Sequence, residues 1–400
     1  MIALLRRKSL RPSEDEFPSA SENEELKAAI RERIAAEGRI PFRQFMAMAL
    51  YHPQHGYYSS PRQRMGRHGD YLTSPEVHPV FGSLVAKQLR QMWQVMGEPR
   101  PFAVVEMGAG SGLLARDILA WAGRRAPEFF QALEYHLIEL NEWRVEDQRR
   151  LLRQVDASLA KMSWLSSLEA IAAESVSGCF LSNELIDSFP VHRVALRDGR
   201  LCEYYVEWQE GRFAESLAPP STPLLEQYFH RLGLLPGDGC SAEVNLEALG
   251  WMKAVAGALR RGFVLTFDYG YPAEELYAPW RKDGTLLCFY RHNPSTDPYA
   301  RLGRQDMTSH VDFTSLVLAG REAGLEPLGL TSQSRFLTAL GIAAGLERQA
   351  EGEPSLEEHY ARRRAVTELI DPAGLGRIKV LIQAKGVGGP ELQGLEGSEP

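Results

Sequence analysis

The sequence predicts a doubly wound α/β protein with a helical amino-terminal cap and a mid-chain insertion. Three observations predict it. From Phe102 onward, short apolar runs alternate with helix-period segments, the pattern of a parallel sheet covered on both faces. A glycine-spaced turn, Gly108–Gly112, joins the first run to the first helix. The apolar runs end in polar residues, Glu139 and Asn183-Glu184, at the edge where open α/β sheets bind ligands.

With 400 residues, 44% of them hydrophobic, the chain can bury a large core. Its length allows two to three domains or one elaborated one. No apolar run reaches the ~18–20 residues needed to span a bilayer, so no membrane segment is expected. A formal charge of −7 disfavours nucleic acid as the main partner. Cys179, Cys202, Cys240 and Cys288 are too scattered for a zinc knuckle or a disulfide framework. Arg6-Arg7-Lys8 follows a very short apolar piece, the reverse of a secretory signal, and Glu14-Asp15-Glu16 argues against a mitochondrial presequence. A cytoplasmic protein is therefore expected.

Residues 1–20 read as a mobile tail and 21–100 as the helical cap, with Leu26, Ile30 and Ile34 marking one amphipathic helix and Pro79–Met96 a longer one. The main domain is assigned to 101–385. Its strands are placed at Phe102–Met107, Tyr135–Glu139, Met162–Trp164, Gly178–Ser182, Gly262–Phe267, Glu326–Thr331 and Ile378–Lys385. Helices are placed at Leu113–Ala122, Glu142–Gln154, Leu168–Glu174, Trp251–Leu259, Val311–Gly324, Ser334–Gln349 and Ser355–Ile370. Val191–Glu207 alternates as an antiparallel addition does, an insertion is placed at about 208–255, and 271–310 is a long functional loop. Residues 386–400 are expected to fray.

The glycine loop, with Gly108, Ala109, Gly110, Ser111 and Gly112, lets backbone pass close to a ligand and presents the N–H groups of a helix start. Glu106 in front of it would repel a pyrophosphate, but it favours the ammonium and sulfonium of S-adenosyl-L-methionine. Glu139 is the candidate for the ribose diol, with helix capping as the plainer alternative, and Leu140 follows it into the cofactor site. Asn183, Glu184 and Asp187 are the catalytic candidates: two carboxylates can pair with a guanidinium and orient one nitrogen. Capping of a following turn is the competing reading. Thr73 and Ser74 lie in a polar stretch that can close the site over the cofactor, and His310 is a candidate to position an acceptor or take a proton, although a lone histidine is more often structural. His52 and His55 lack accompanying ligands, so no metal is assigned.

Taken together, several segments resemble the MidA-like family, which includes the mitochondrial complex I assembly-factor arginine methyltransferases. The resemblance lies in Met48–Pro53 with Gly56-Tyr57-Tyr58, Gly69–Glu76, Val105–Gly112, Ser182–Val191, Asp268-Tyr269-Gly270 and Gln305–Phe313, and spans roughly 26–385. Tyr71 and Ser74 stand where Phe and Ala are commoner. The resemblance implies a seven-stranded, Rossmann-like class I methyltransferase fold, S-adenosyl-L-methionine as donor and a protein arginine acceptor. It carries cofactor roles to Glu106, Gly108, Gly110, Gly112 and Glu139. A small-molecule methyltransferase, or an assembly factor that binds the cofactor without turnover, are the alternatives. A nucleobase acceptor is disfavoured, because Ser182-Asn183-Glu184-Leu185 replaces the Asp/Asn-Pro-Pro-aromatic loop of base amine methylation.

Overall fold

Seven strands carry the central sheet: β1 (Phe102–Met107), β2 (Leu133–Ile138), β3 (Met162–Leu165), β4 (Val176–Asn183), β5 (Leu259–Asp268), β6 (Glu326–Ser332) and β7 (Lys379–Lys385). Across the sheet they run β6-β7-β5-β4-β1-β2-β3. In this computed structural model, which describes residues 23–59, 66, 69–153, 155, 161–343 and 356–397, β1 to β5 are mutually parallel. Only β7 runs against its neighbours β5 and β6. The chain moves outward from β1 to β3 and then returns to place β4 on the other side of β1. That reversal leaves a crevice at the carboxyl ends of β1 and β4.

Strands buried on both faces must be apolar at successive positions, and β1 meets this requirement. Phe102 and Val104 pack with α4 (Val80–Val95) and α5 (Leu113–Arg125), whereas Ala103 and Val105 face the helices Leu246–Ala258 and Phe313–Glu322. Each fully buried Phe or Leu on these faces contributes about 1.5–3 kcal/mol. This packing fixes the sheet edge on which the polar residues stand.

A second, antiparallel sheet interrupts the chain between β4 and β5, with strands His192–Arg197, Arg200–Gln209, Arg212–Ala218 and Ser241–Val244, and Ile40–Pro41 of the cap pairs along Arg200–Gln209 as its fifth strand. The alternating stretch from Val191 is therefore the start of the insertion, which spans 192–244 and not 208–255. Its first two strands are joined by Asp198-Gly199, both in left-handed backbone, the turn that matches strand twist. Helix Leu246–Ala258 belongs to the main domain instead, because it packs on β4 and β5 through Trp251, Met252 and Val255.

The cap also divides. Helices α1 (Glu24–Glu37) and α2 (Phe42–Tyr51) share a core with Val191 and with Val206 of the inserted sheet, the short α3 (Ser74–Val77) follows, and α4 packs on the main sheet. The helix expected at Leu168–Glu174 is only a single 3-10 turn, Leu168–Ala170. The expected tail 1–20 lies outside the described residues.

At the carboxyl end the expectation of fraying is corrected. Leu392 is buried against the main core, and the N–H groups of Gln393 and Gly394 donate to Gln91 Oε1 and Gln88 Oε1, both at 2.9 Å. A glycine-rich composition hid this, because the anchoring partners sit about 300 residues earlier on α4. Leu392→Ala should cost about 2–4 kcal/mol, read as a lowered midpoint in chemical denaturation. An unchanged midpoint would mean that the segment detaches in solution.

Candidate functional site

The loop after β1 has to reverse direction tightly before α5, and Gly108, Gly110 and Gly112 all take left-handed backbone, with φ of 78°, 54° and 83°. A Cβ at Gly108 would stand 2.8 Å from Leu185 Cδ1, so the loop also sits hard against the turn after β4. Gly112 begins α5 without a side-chain cap, which leaves helix-start N–H groups for a ligand. Ser111 Oγ donates to Glu76 Oε1 at 3.3 Å, and Gly112 N–H to Ala109 O at 2.8 Å.

Glu106 does not stand open at the loop. Its carboxyl is buried within the sheet, where Oε2 accepts from Tyr135 Oη at 2.6 Å, and burial lifts it to about 7. At the end of β2, Glu139 Oε1 accepts from Asn141 N–H at 3.1 Å and Oε2 from Gln148 Nε2 at 3.3 Å. The same Gln148 amide donates to Gly110 O at 2.9 Å. Gln148 thus couples the glycine loop to the ribose candidate, a role that its helix position gave no sign of. Leu140, 71% exposed, is the apolar surface beside them.

The turn after β4 holds the catalytic candidates, but not as a helical pair. Glu184 takes left-handed backbone, φ 50°, and only Ile186–Ser188 forms a 3-10 turn. Asp268, buried at the end of β5, imposes this path: its Oδ2 accepts from the N–H groups of Leu185 and Ile186 at 3.2 and 2.8 Å. Glu184 Oε1 then accepts from Ser74 N–H and from Asn183 Nδ2, both at 3.0 Å. Ser74 Oγ donates to Gln333 Oε1 at 2.9 Å, and Thr73 is buried beside it. Thr73 and Ser74 therefore meet the turn after β4 and brace Glu184. Asn183 Oδ1 is buried with no hydrogen-bond partner.

Burial lifts the Glu184 carboxyl to about 8, with Asp268 and Glu76 adding to the effect. Asp187 is pushed up by burial and then by the charges of Asp268, Asp306 and Glu184. Asp306, from the long loop, was not among the residues singled out as a site; its Oδ1 accepts from Tyr58 Oη at 2.7 Å. Tyr51 Oη bonds Ser188, its ring lies 5.2 Å from that of Tyr58, and Asn141 Nδ2 donates to Tyr58 O. Burial raises the Tyr71 hydroxyl, and the charges of Asp306, Asp187 and Glu184 act on it too. The result is a recess of carboxyl groups walled by tyrosines from the cap.

His310 stands apart from this chemistry. Its Nε2 lies 3.2 Å from Arg377 Nη2, and burial with the nearby Arg377 and Arg281 lowers it to about 3. A ring that already accepts from an arginine and is held neutral is not a proton acceptor for the reaction, so the sequence expectation is corrected. His52 Nδ1 accepts from the N–H groups of Gln54 and His55, both at 3.3 Å. Among the described residues no group of three metal-ligating side chains occurs and no helix is long and apolar enough to cross a membrane.

Comparison with known proteins gives this geometry a context. A family model described as S-adenosyl-L-methionine-dependent methyltransferase matches residues 84–331. The mitochondrial protein arginine methyltransferase NDUFAF7 homolog of Drosophila melanogaster is 30% identical, covering 93% of this chain and 89% of its own. The human protein arginine methyltransferase NDUFAF7, mitochondrial, is 26% identical over 86% of this chain and 79% of its own. A Burkholderia thailandensis crystal structure bound to S-adenosyl-homocysteine superposes with a TM-score of 0.85 at 32% identity, covering 94% of this chain and 96% of that one.

The raised Glu184 carboxyl has a consequence for stability. Since its value in the folded chain, about 8, exceeds the ordinary 4.5, the stability linked to it is fully present below pH 4.5 and is lost as pH rises through 8. Glu184→Gln removes that loss. The variant should melt higher than the parent at pH 9, with a smaller difference at pH 5, by calorimetry at both pH values. Equal melting differences at the two pH values would contradict the assignment.

Proposed function

This chain belongs to the S-adenosyl-L-methionine-dependent methyltransferase family, and on that footing we propose that it transfers the methyl group to an arginine nitrogen of a protein. The observation that carries the acceptor reading is the recess of Glu184, Asp187 and Asp306 walled by Tyr51, Tyr58 and Tyr71. Carboxyls whose ionisation is suppressed by burial and by each other are a poor design for a neutral ligand. A guanidinium entering among them supplies the missing positive charge and five donors, and its flat face suits tyrosine rings. Asn183 Oδ1, buried without a donor, gives one such N–H an acceptor. The names of the NDUFAF7 relatives, which are protein arginine methyltransferases, support the same reading.

The residues fit the cofactor: the left-handed glycine loop leads into α5, which offers its open N–H groups, and Glu139 with Leu140 follows the end of β2. When bound, S-adenosyl-L-methionine supplies a methyl carried on a sulfonium. Glu184 and Asp187 orient the guanidinium so that one nitrogen lies in line with the methyl. As the N–C bond formed and the S–C bond broke, that nitrogen would shed a proton, and the Glu184 carboxyl, ionised by the guanidinium it pairs with, is the group placed to receive it. The products are the methylated arginine, the thioether and the proton. Glu106 acts from within the sheet, its charge stabilising the cationic methionyl end.

The compartment is proposed to be the cytoplasm, whereas the NDUFAF7 relatives are named as mitochondrial. Fractionation of host cells checks this directly.

Purified protein incubated with methyl-labelled S-adenosyl-L-methionine and host proteome should place label on protein arginine, identified by mass spectrometry. Label confined to a small molecule, or none despite measured cofactor binding, would sink the proposal. Glu184→Gln should lower kcat by about 10²-fold or more, with cofactor affinity within about twofold of the parent. Cofactor affinity should rise with pH through about 7 as Glu106 ionises, and Glu106→Gln should flatten that dependence in calorimetric titration. A parental slope in Glu106→Gln would assign the titration to another group.

A further inference from the structure

Apart from the acidic recess, a cavity of about 370 Å³ is lined by Gly270, Tyr271, Ser334, Arg335, Arg377 and Lys379 among others. Its charge is the opposite. Arg281 and Lys379 both stand over the Tyr271 ring, at 4.8 and 6.0 Å from its centroid, and Arg377 lies 5.7 Å from that of Tyr269. None of Arg281, Arg335, Arg377 and Lys379 has an ion-pair partner among the described residues. Arg281 Nε is buried without any acceptor, and so is the His310 Nδ1 that packs between Tyr269 and Tyr271.

Gathering Arg335, Arg377 and Lys379 around one cavity with no counter-charge costs energy, and does so in a chain whose net charge is −7. The unsatisfied Arg281 donor adds a desolvation cost. An anion in the cavity offsets the cost of gathering the three lining cations. Its position gives the anion a source. Tyr269 lies within electrostatic reach of both charge groups: burial raises its hydroxyl, Glu184 and Asp187 push in the same direction, and Arg377 pulls it back. No residue of the glycine loop lines this cavity, so the carboxylate of the cofactor is not its occupant.

We propose that this cavity binds a carboxylate or phosphate group of the substrate protein, on a residue flanking the methylated arginine, so that the chain reads an arginine with an anionic neighbour. The proposal rests on the reading of the acceptor as a protein arginine. The guanidinium enters between the carboxyls while its anionic neighbour reaches Arg335, Arg377 and Lys379. Arg377 also bonds His310, which gives that buried ring its use: it positions a cation of the anion cavity instead of moving a proton.

Two measurements test this. Titration of the full chain with inorganic phosphate and with N-acetylglutamate amide reads the cavity directly. At least one probe should bind, and R335Q/K379Q should weaken binding by about tenfold or more, whereas K379R should retain it. Neither residue touches the acidic recess or the glycine loop, so cofactor affinity should stay within about twofold of the parent. Arginine peptides carrying Asp, phosphoserine or Asn at each flanking position then read the specificity. One anionic position should lower KM by about tenfold, and R335Q/K379Q should erase that preference with kcat unchanged. Preference for Asp identifies a carboxylate source and preference for phosphoserine alone a phosphorylated one, and either supports the proposal. Binding of neither probe, or equal KM for anionic and neutral peptides, overturns it. Phosphate binding that the double variant loses, with no arginine peptide methylated, would defeat the arginine reading while supporting the anion cavity.

Discussion

The site depends on one buried carboxyl group, that of Asp268. At the end of β5 it is fully enclosed, and it accepts from the N–H groups of Leu185, Ile186 and Tyr269. Three backbone donors on one side chain fix two loops at once, those after β4 and β5. The turn after β4 can then hold Glu184 in left-handed backbone, a conformation costing a non-glycine residue roughly 1–2 kcal/mol. Without that anchor Glu184, Asp187 and the packing of Leu185 on Gly108 have no fixed relation. Asp268 also charges the recess, since Glu184 and Asp187 both respond to it.

Everything else converges on this edge of the sheet. The inserted antiparallel sheet supports α2, which carries Tyr51 onto Ser188. The loop 271–310 returns Asp306 to Tyr58, and the cap sends Ser74 to Glu184. Enclosing so many acids is unfavourable for the free chain, and their raised values record that cost. A cationic ligand reverses the balance, so the same electrostatics that weaken the fold at high pH favour binding. The basic cavity lined by Arg335, Arg377 and Lys379 repeats the logic with the sign reversed, the charge pattern on which the proposed peptide recognition rests.

The elements of the main sheet were legible because their periodicity is strong and local. Strand Phe102–Met107 coincides with its expected range, and the polar strand ends at Glu139 and Asn183 lie on the edge that the βαβ alternation implies. What was not legible involves partners far apart in the chain. Gln148 looks like an ordinary helix residue, and although Tyr58, Asp268 and Asp306 stand in segments that carry the resemblance, their roles emerge only when folding brings these residues within hydrogen-bond reach of Gly110, one another and the turn after β4. The segment Leu392–Leu395 reads as tail for the same reason.

The sequence by itself determined the sheet, the glycine loop and the residue types at the strand ends, since strand period, backbone freedom at glycine and charge are properties of short segments. It did not determine which acids share one recess, that Glu106 faces Tyr135 from within the sheet, or that His310 is held by Arg377 and not by a reacting group. Those were decided by tertiary structure, because ionisation and hydrogen bonding depend on burial and on distances between residues that the chain separates widely.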